Sequence, residues 1–140
     1  MSRTVIAFLL LAALFVAGAL VWMLTRPGAE PALDQAARLD SPYWTGDDRL
    51  VDVDGVMARV RSEGPADAPV IVMVHGFSYS LESWDAWAED LGADYRVIRL
   101  DLPGHGLTGP DPQQRYSVPQ TVDFLGSLLD ELGLDHVTLA

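Results

Sequence analysis

The spacing of apolar positions changes character along the chain. From Val5 to Leu24 it is unbroken, twenty residues without a charge. At about 1.5 Å per helical residue this run matches the ~30 Å apolar core of a bilayer. Arg3 precedes it, Trp22 lies near its outer end, and Thr25-Arg26-Pro27 closes it. Residues 1–25 are therefore expected to form an N-terminal transmembrane helix. The competing reading is a cleaved secretory signal, because Ala17-Gly18-Ala19 has the small-x-small cleavage pattern. Leu20 to Leu24 continue apolar past that point, which favours the anchor. Arg3 on one side and Arg26 and Arg38 on the other nearly balance the positive-inside count. The globular part is expected outside the cytoplasm, with a secreted or periplasmic protein as the alternative. Residues 26–45 lose all periodicity and hold prolines and a glycine, as a linker does, with a short helix over Pro31 to Leu39.

From residue 46 to 140 the pattern alternates between strand and helix periods. Arg49 to Val53 and Val56 to Arg61 flank Asp54-Gly55, a hairpin turn in which both central residues need φ > 0. Val70 to Val74 (VIVMV) is a continuous apolar run suited to a strand buried on both faces. Leu81 to Leu91 reads as a helix with Trp84, Trp87, Ala88 and Leu91 on its core face, Ser80 as N-cap and Gly92 as stop. Tyr95 to Leu100 is a further strand. Ser117-Val118-Pro119-Gln120 is a capping box opening a helix whose Val122, Leu125, Leu129 and Leu132 face inward and which ends at Gly133. His136 to Ala140 begins the last strand. This order predicts an α/β fold with a mostly parallel sheet, flanking helices and a ligand site outside the carboxyl ends of its strands.

Composition narrows the chemistry. There is no cysteine, so disulfides, thiolate metal sites and a catalytic thiol are excluded. All nine basic residues are arginine, which excludes a catalytic lysine. The net charge of −11 opposes a nucleic-acid partner. The acidic run Asp47, Asp48, Asp52 and Asp54 reads as a solvated hairpin edge. His75 has no second ligand at metal spacing, and neither a metal nor a cofactor is expected.

Two loops carry the candidate chemistry: His75-Gly76-Phe77-Ser78-Tyr79-Ser80, and Asp101-Leu102-Pro103-Gly104-His105-Gly106-Leu107-Thr108-Gly109-Pro110. HGF at 75–77, the spaced tryptophans and DLPGHGLTGP at 101–110 together resemble the α/β-hydrolase fold superfamily, in its serine esterase and lipase-like branch, over about Arg49 to Ala140. The resemblance implies that the Phe77 backbone N–H donates into an oxyanion hole. It gives His75, Gly76 and Ser78 the turn beside the pocket, and Asp101, Gly104, His105 and Gly106 the structure of the second loop. It implies a small apolar acyl substrate, hydrolysed through a serine acyl-enzyme. The nucleophile elbow normally follows the strand that starts at His136, so nucleophile, acid and base are not expected within these residues. The fold is then truncated after the strand preceding that elbow.

Several alternatives stay open. Gly76 to Ser80 half matches G-x-S-x-G, with Ser80 in place of the last glycine, so Ser78 is a weak rival nucleophile. Epoxide hydrolases and haloalkane dehalogenases share the fold. The first usually carries proline where Ser78 stands, and the second asparagine where Phe77 stands. A non-catalytic, membrane-tethered interaction module is the rival of a different class. Oligomeric state is not encoded.

Overall fold

The computed structural model describes residues 16–21 and 34–140. Residues 16–21 are helical. The rest of the apolar run, and with it the expected anchor, lies outside the described residues. Among the described residues no helix is long and apolar enough to cross a membrane.

Within residues 34–140 the first element is helix α1 (Gln35–Leu39), whose first turn is capped by the Asp34 carboxylate accepting from the Ala37 N–H at 2.7 Å. Arg38 on this helix is buried and donates to the Met57 carbonyl at 3.2 Å. Five strands follow: β1 (Asp48–Val53), β2 (Val56–Glu63), β3 (Val70–Val74), β4 (Arg96–Leu100) and β5 (Thr138–Leu139). They form one sheet in the order β1-β2-β4-β3-β5. β3 pairs in parallel with β4 and β5, whereas β2 is antiparallel to both β1 and β4. The sheet is therefore mixed rather than mostly parallel among the described strands. The hairpin turn is as expected, with Asp54 at φ 50° and Gly55 at φ 86°.

The helix expected over Leu81 to Leu91 is two pieces, a 3-10 turn at Leu81–Trp84 and helix α2 at Asp85–Leu91. Ser80 precedes the turn, but its hydroxyl donates to Glu82 at 2.6 Å instead of capping a backbone N–H. Helix α3 (Val118–Glu131) begins at the expected box, with the Gln120 side-chain oxygen accepting from both the N–H and the hydroxyl of Ser117.

Alternation along β3 and β4 sends Val72 and Ile98 to one face and Met73 and Val97 to the other. On the first face Phe124 and Leu128 of α3 pack against Val60, Leu100 and their neighbours. On the second Ala88 of α2 packs with Trp84 and Leu91. Two positions depart from the expected pattern. Val122 is exposed while Phe124 and Leu128 are buried, although Leu125, Leu129 and Leu132 pack against the core as expected. Trp87 is also exposed, because the 3-10 turn shifts the phase of α2 and only Trp84 reaches the core.

The second face also holds charge. Arg59, Arg61 and Arg99 are all buried there. Asp48 accepts from Arg61 Nε at 2.8 Å and from Arg59 Nη2 at 3.0 Å, and both arginines also donate to the Tyr43 carbonyl. Arg59 further meets Glu82 at 2.8 Å and Asp101 at 3.2 Å. Arg99 pairs with Glu63 at 2.6 Å and Asp85 at 2.5 Å. Asp48 is thus not part of a solvated edge: its carboxylate is fully buried between two guanidinium groups.

Candidate active site

The site grows from the carboxyl ends of β3 and β4, where the backbone must leave the sheet. His75 comes first and is buried. The Leu102 N–H donates to its Nε2 at 3.0 Å. An amide N–H can only donate, so Nε2 is bare and the ring proton sits on Nδ1. Nδ1 donates to the Gly76 carbonyl at 2.8 Å. Both ring nitrogens are used, and His75 ties the first loop to the second. It has no nitrogen left for a base or a metal, and no cluster of three metal-ligating side chains exists among the described residues.

Gly76 to Tyr79 then form a tight turn closed by the Tyr79 N–H donating to the Gly76 carbonyl at 3.2 Å. Ser78 occupies its third position at φ 65°, a left-handed conformation usually given to glycine. The Phe77 N–H has no acceptor among the described residues. The Phe77 ring is 90% exposed and stands edge-on to His105, with centroids 6.2 Å apart.

The second loop is organised by Asp101, which is fully buried. Its carboxylate accepts from the Leu81 N–H at 2.8 Å, the Leu107 N–H at 2.9 Å and Arg59 Nη1 at 3.2 Å. One acid thus joins β2, the 3-10 turn and its own loop. Gly106 passes directly over this carboxylate at φ 49°, and a Cβ there would strike its oxygens. Gly104, at φ 78°, lies under the Tyr116 ring. His105 donates from Nδ1 to the Pro103 carbonyl at 3.1 Å, and its ring lies tilted at 54° to that of His75 with centroids 5.1 Å apart.

Between the two loops opens a cleft of 640 Å³, walled mainly by Phe77, Leu102, Pro103, His105, Pro110 and Tyr116. Mostly apolar walls with a few polar groups are the usual make-up of a small-molecule site. The structure brings Phe77, Ser78, Gly104 and His105 to this cleft. It holds His75, Asp101 and Gly106 behind it, as supports.

Sequence reasoning stopped at Pro110 and missed the next segment. Asp111 is buried and accepts from Arg115 Nε at 2.6 Å, while its N–H donates to the Tyr116 hydroxyl at 2.9 Å. The Arg115 hydrogen bond, together with those from the Gln113 and Arg115 N–H groups, holds the Asp111 carboxyl below the usual carboxylate range despite burial. The only sequence signal was an acid four residues before a basic residue.

Comparison with known proteins agrees with this architecture. Residues 69–140, just over half the chain, match the alpha/beta hydrolase fold family. Epoxide hydrolase A of Mycobacterium tuberculosis (strain ATCC 25618 / H37Rv) is 34% identical over 91 residues, which cover 64% of this chain and 28% of that protein. The dihydrolipoyllysine-residue acetyltransferase component of the acetoin cleaving system of Cupriavidus necator is 32% identical over 87 residues, covering 62% of this chain and 23% of that one. The crystal structure of epoxide hydrolase VrEH1 from Vigna radiata superposes with a TM-score of 0.60 at 32% identity, over 66% of this chain and 30% of that one. The chain spans less than a third of the length of each of these relatives. With the strand order, the two loops and the cleft between them all in place, this chain belongs to the alpha/beta hydrolase fold family.

Proposed function

We propose that the protein hydrolyses a carboxylic ester, or a similar small apolar acyl substrate, through a serine acyl-enzyme, without metal or cofactor. The observation that carries this reading is the Phe77 N–H, unpaired among the described residues on the wall of an apolar cleft. In acyl transfer the carbonyl oxygen becomes an oxyanion, and a fixed N–H aimed at it lowers the barrier. Removing one such donor typically costs about 3 kcal/mol of transition-state stabilisation. The turn at Ser78 fixes that N–H, and the His75 ring keeps the turn against the second loop. We assign the nucleophile, acid and base to the part of the relatives' length that this chain does not span. His75, Gly76 and Ser78 shape the pocket turn without reacting. The apolar N-terminal run tethers the enzyme to a membrane, with the globular part outside the cytoplasm.

A second reading is epoxide hydrolysis, supported by the similarity to two epoxide hydrolases. The deciding experiment offers p-nitrophenyl butyrate and styrene oxide to the protein expressed from its complete reading frame. The expected result is ester turnover with a burst of p-nitrophenol, abolished by a fluorophosphonate and unchanged in Ser78→Ala. Turnover of styrene oxide alone would move the chemistry to epoxides, and loss of ester turnover in Ser78→Ala would make Ser78 the nucleophile. No turnover of either substrate would remove the enzymatic reading.

A further inference from the structure

We propose that Tyr116, with Arg115 beside it, forms a subsite for a neutral carbonyl oxygen on the body of the ligand, away from the reacting bond. The proposal rests on the hydrolase reading for what the cleft is, and adds what its occupant carries. Tyr116 is held on two sides. Its ring lies on Gly104, where even a Cβ would come within 3.5 Å of Cε1. Its hydroxyl oxygen accepts from the Asp111 N–H at 2.9 Å. A phenol that accepts keeps its own proton to donate, and no acceptor for that proton exists among the described residues. The side chain is half exposed and lines the cleft, so the proton is offered there.

Arg115 lines the same wall. Its Nε and Nη2 are spent on Asp111 and on the Asp54 carbonyl, and Nη1 has no partner among the described residues. Two adjacent residues lining the cleft therefore each keep a donor without a partner among the described residues. Both donors reach solvent in the open cleft, where a ligand oxygen can take the place of water.

Charge decides which oxygen. The Arg115 cation is balanced by Asp111 at 2.6 Å. Asp54 lies against the same guanidinium through its carbonyl, and the whole chain carries −11. A carboxylate would enter a field with no uncompensated positive charge, whereas an amide, ketone or ester carbonyl takes the same two donors without that cost.

The test uses the protein expressed from its complete reading frame and three probes of one shape: 4-phenylbutanamide, 4-phenylbutyrate and butylbenzene. Affinities are read by titration calorimetry or amide NMR shifts, without reference to turnover. The amide should bind about five-fold more tightly than butylbenzene, the usual worth of one net hydrogen bond. It should also bind more tightly than the carboxylate. Tyr116→Phe should reduce the advantage over butylbenzene to what Arg115 supplies while leaving the butylbenzene affinity unchanged, which reports that the cleft is intact. Arg115→Lys, which keeps the charge, should retain the Tyr116-dependent part. An advantage undiminished by Tyr116→Phe would overturn the proposal, as would tighter binding of the carboxylate or no discrimination at all. If the binding pattern holds but no ester is hydrolysed, the subsite stands and the hydrolase reading fails by itself.

Discussion

Replacing Gly106 by alanine would press a methyl group into the Asp101 carboxylate and hold a side-chain-bearing residue at φ 49°. The expected cost is about 3 kcal/mol or more, from clash and backbone strain together, measured by urea unfolding. Gly55→Ala is the control. Gly55 also has positive φ but open space around it, so about 1 kcal/mol is expected. Asp101→Asn should cost about 1–3 kcal/mol, because an amide oxygen replaces the carboxylate that accepts from Leu81, Leu107 and Arg59, while Asp48 and Glu82 still balance the guanidinium. The tight turn at Gly104 and Gly106 was legible in the sequence, since glycines clustered after a strand mark a sharply turning loop, whereas the structural role of Asp101 followed only from the family resemblance. The buried arginines were not legible. Arg59 and Arg61 alternate with Ala58 and Val60, the pattern of a strand with one solvated face. Their partners come from four separate places along the chain, Asp48, Glu82, Asp101 and the Tyr43 carbonyl, and only folding brings these together.

Helices show a different limit. The capping box and the proline at the start of α3 placed that end correctly, because capping depends on neighbours in sequence. The buried stripe depends on where the sheet lies. Leu125, Leu129 and Leu132 pack against the sheet as their helical spacing predicts, but its centre is taken by Phe124 and Leu128, and Val122 is left in solvent. Leu128→Ala should therefore destabilise the chain by about 2–5 kcal/mol, as deletion of a fully buried leucine does. Val122→Ser should stay within about 0.5 kcal/mol. Thermal unfolding of both variants checks the assignment, and the reverse ranking would restore the sequence-based stripe. The break at Trp84–Asp85 has a similar origin: Leu81 is pinned through its N–H to Asp101 and through its carbonyl to Arg99, which tightens the first turn into a 3-10 helix.

Across the whole molecule, acid should act on the arginine network first. Burial raises the affinity of Asp48 for a proton, but hydrogen bonds from Arg61 and Arg59 outweigh it and hold the carboxyl below its ordinary value. Glu82 is likewise held down, burial being outweighed by the Ser80 hydroxyl and Arg59. Groups depressed in the folded state stabilise it fully above the ordinary carboxylate range, and that stability is lost as the pH falls through their folded values. The thermal midpoint should be flat near neutrality and drop steeply below about pH 4, with Asp48→Asn starting lower and showing a shallower acid limb. The isoelectric point of about 4.3 lies close to this window, so the acid limb is best measured at low protein concentration. The Asp101 carboxylate has one further consequence, in hydrogen exchange. The N–H groups of Leu81 and Leu107 lie on different elements but share this one acceptor. Any opening that withdraws it bares both amides at once, so in deuterated buffer the two should exchange with a common opening free energy, and Asp101→Asn should accelerate them together.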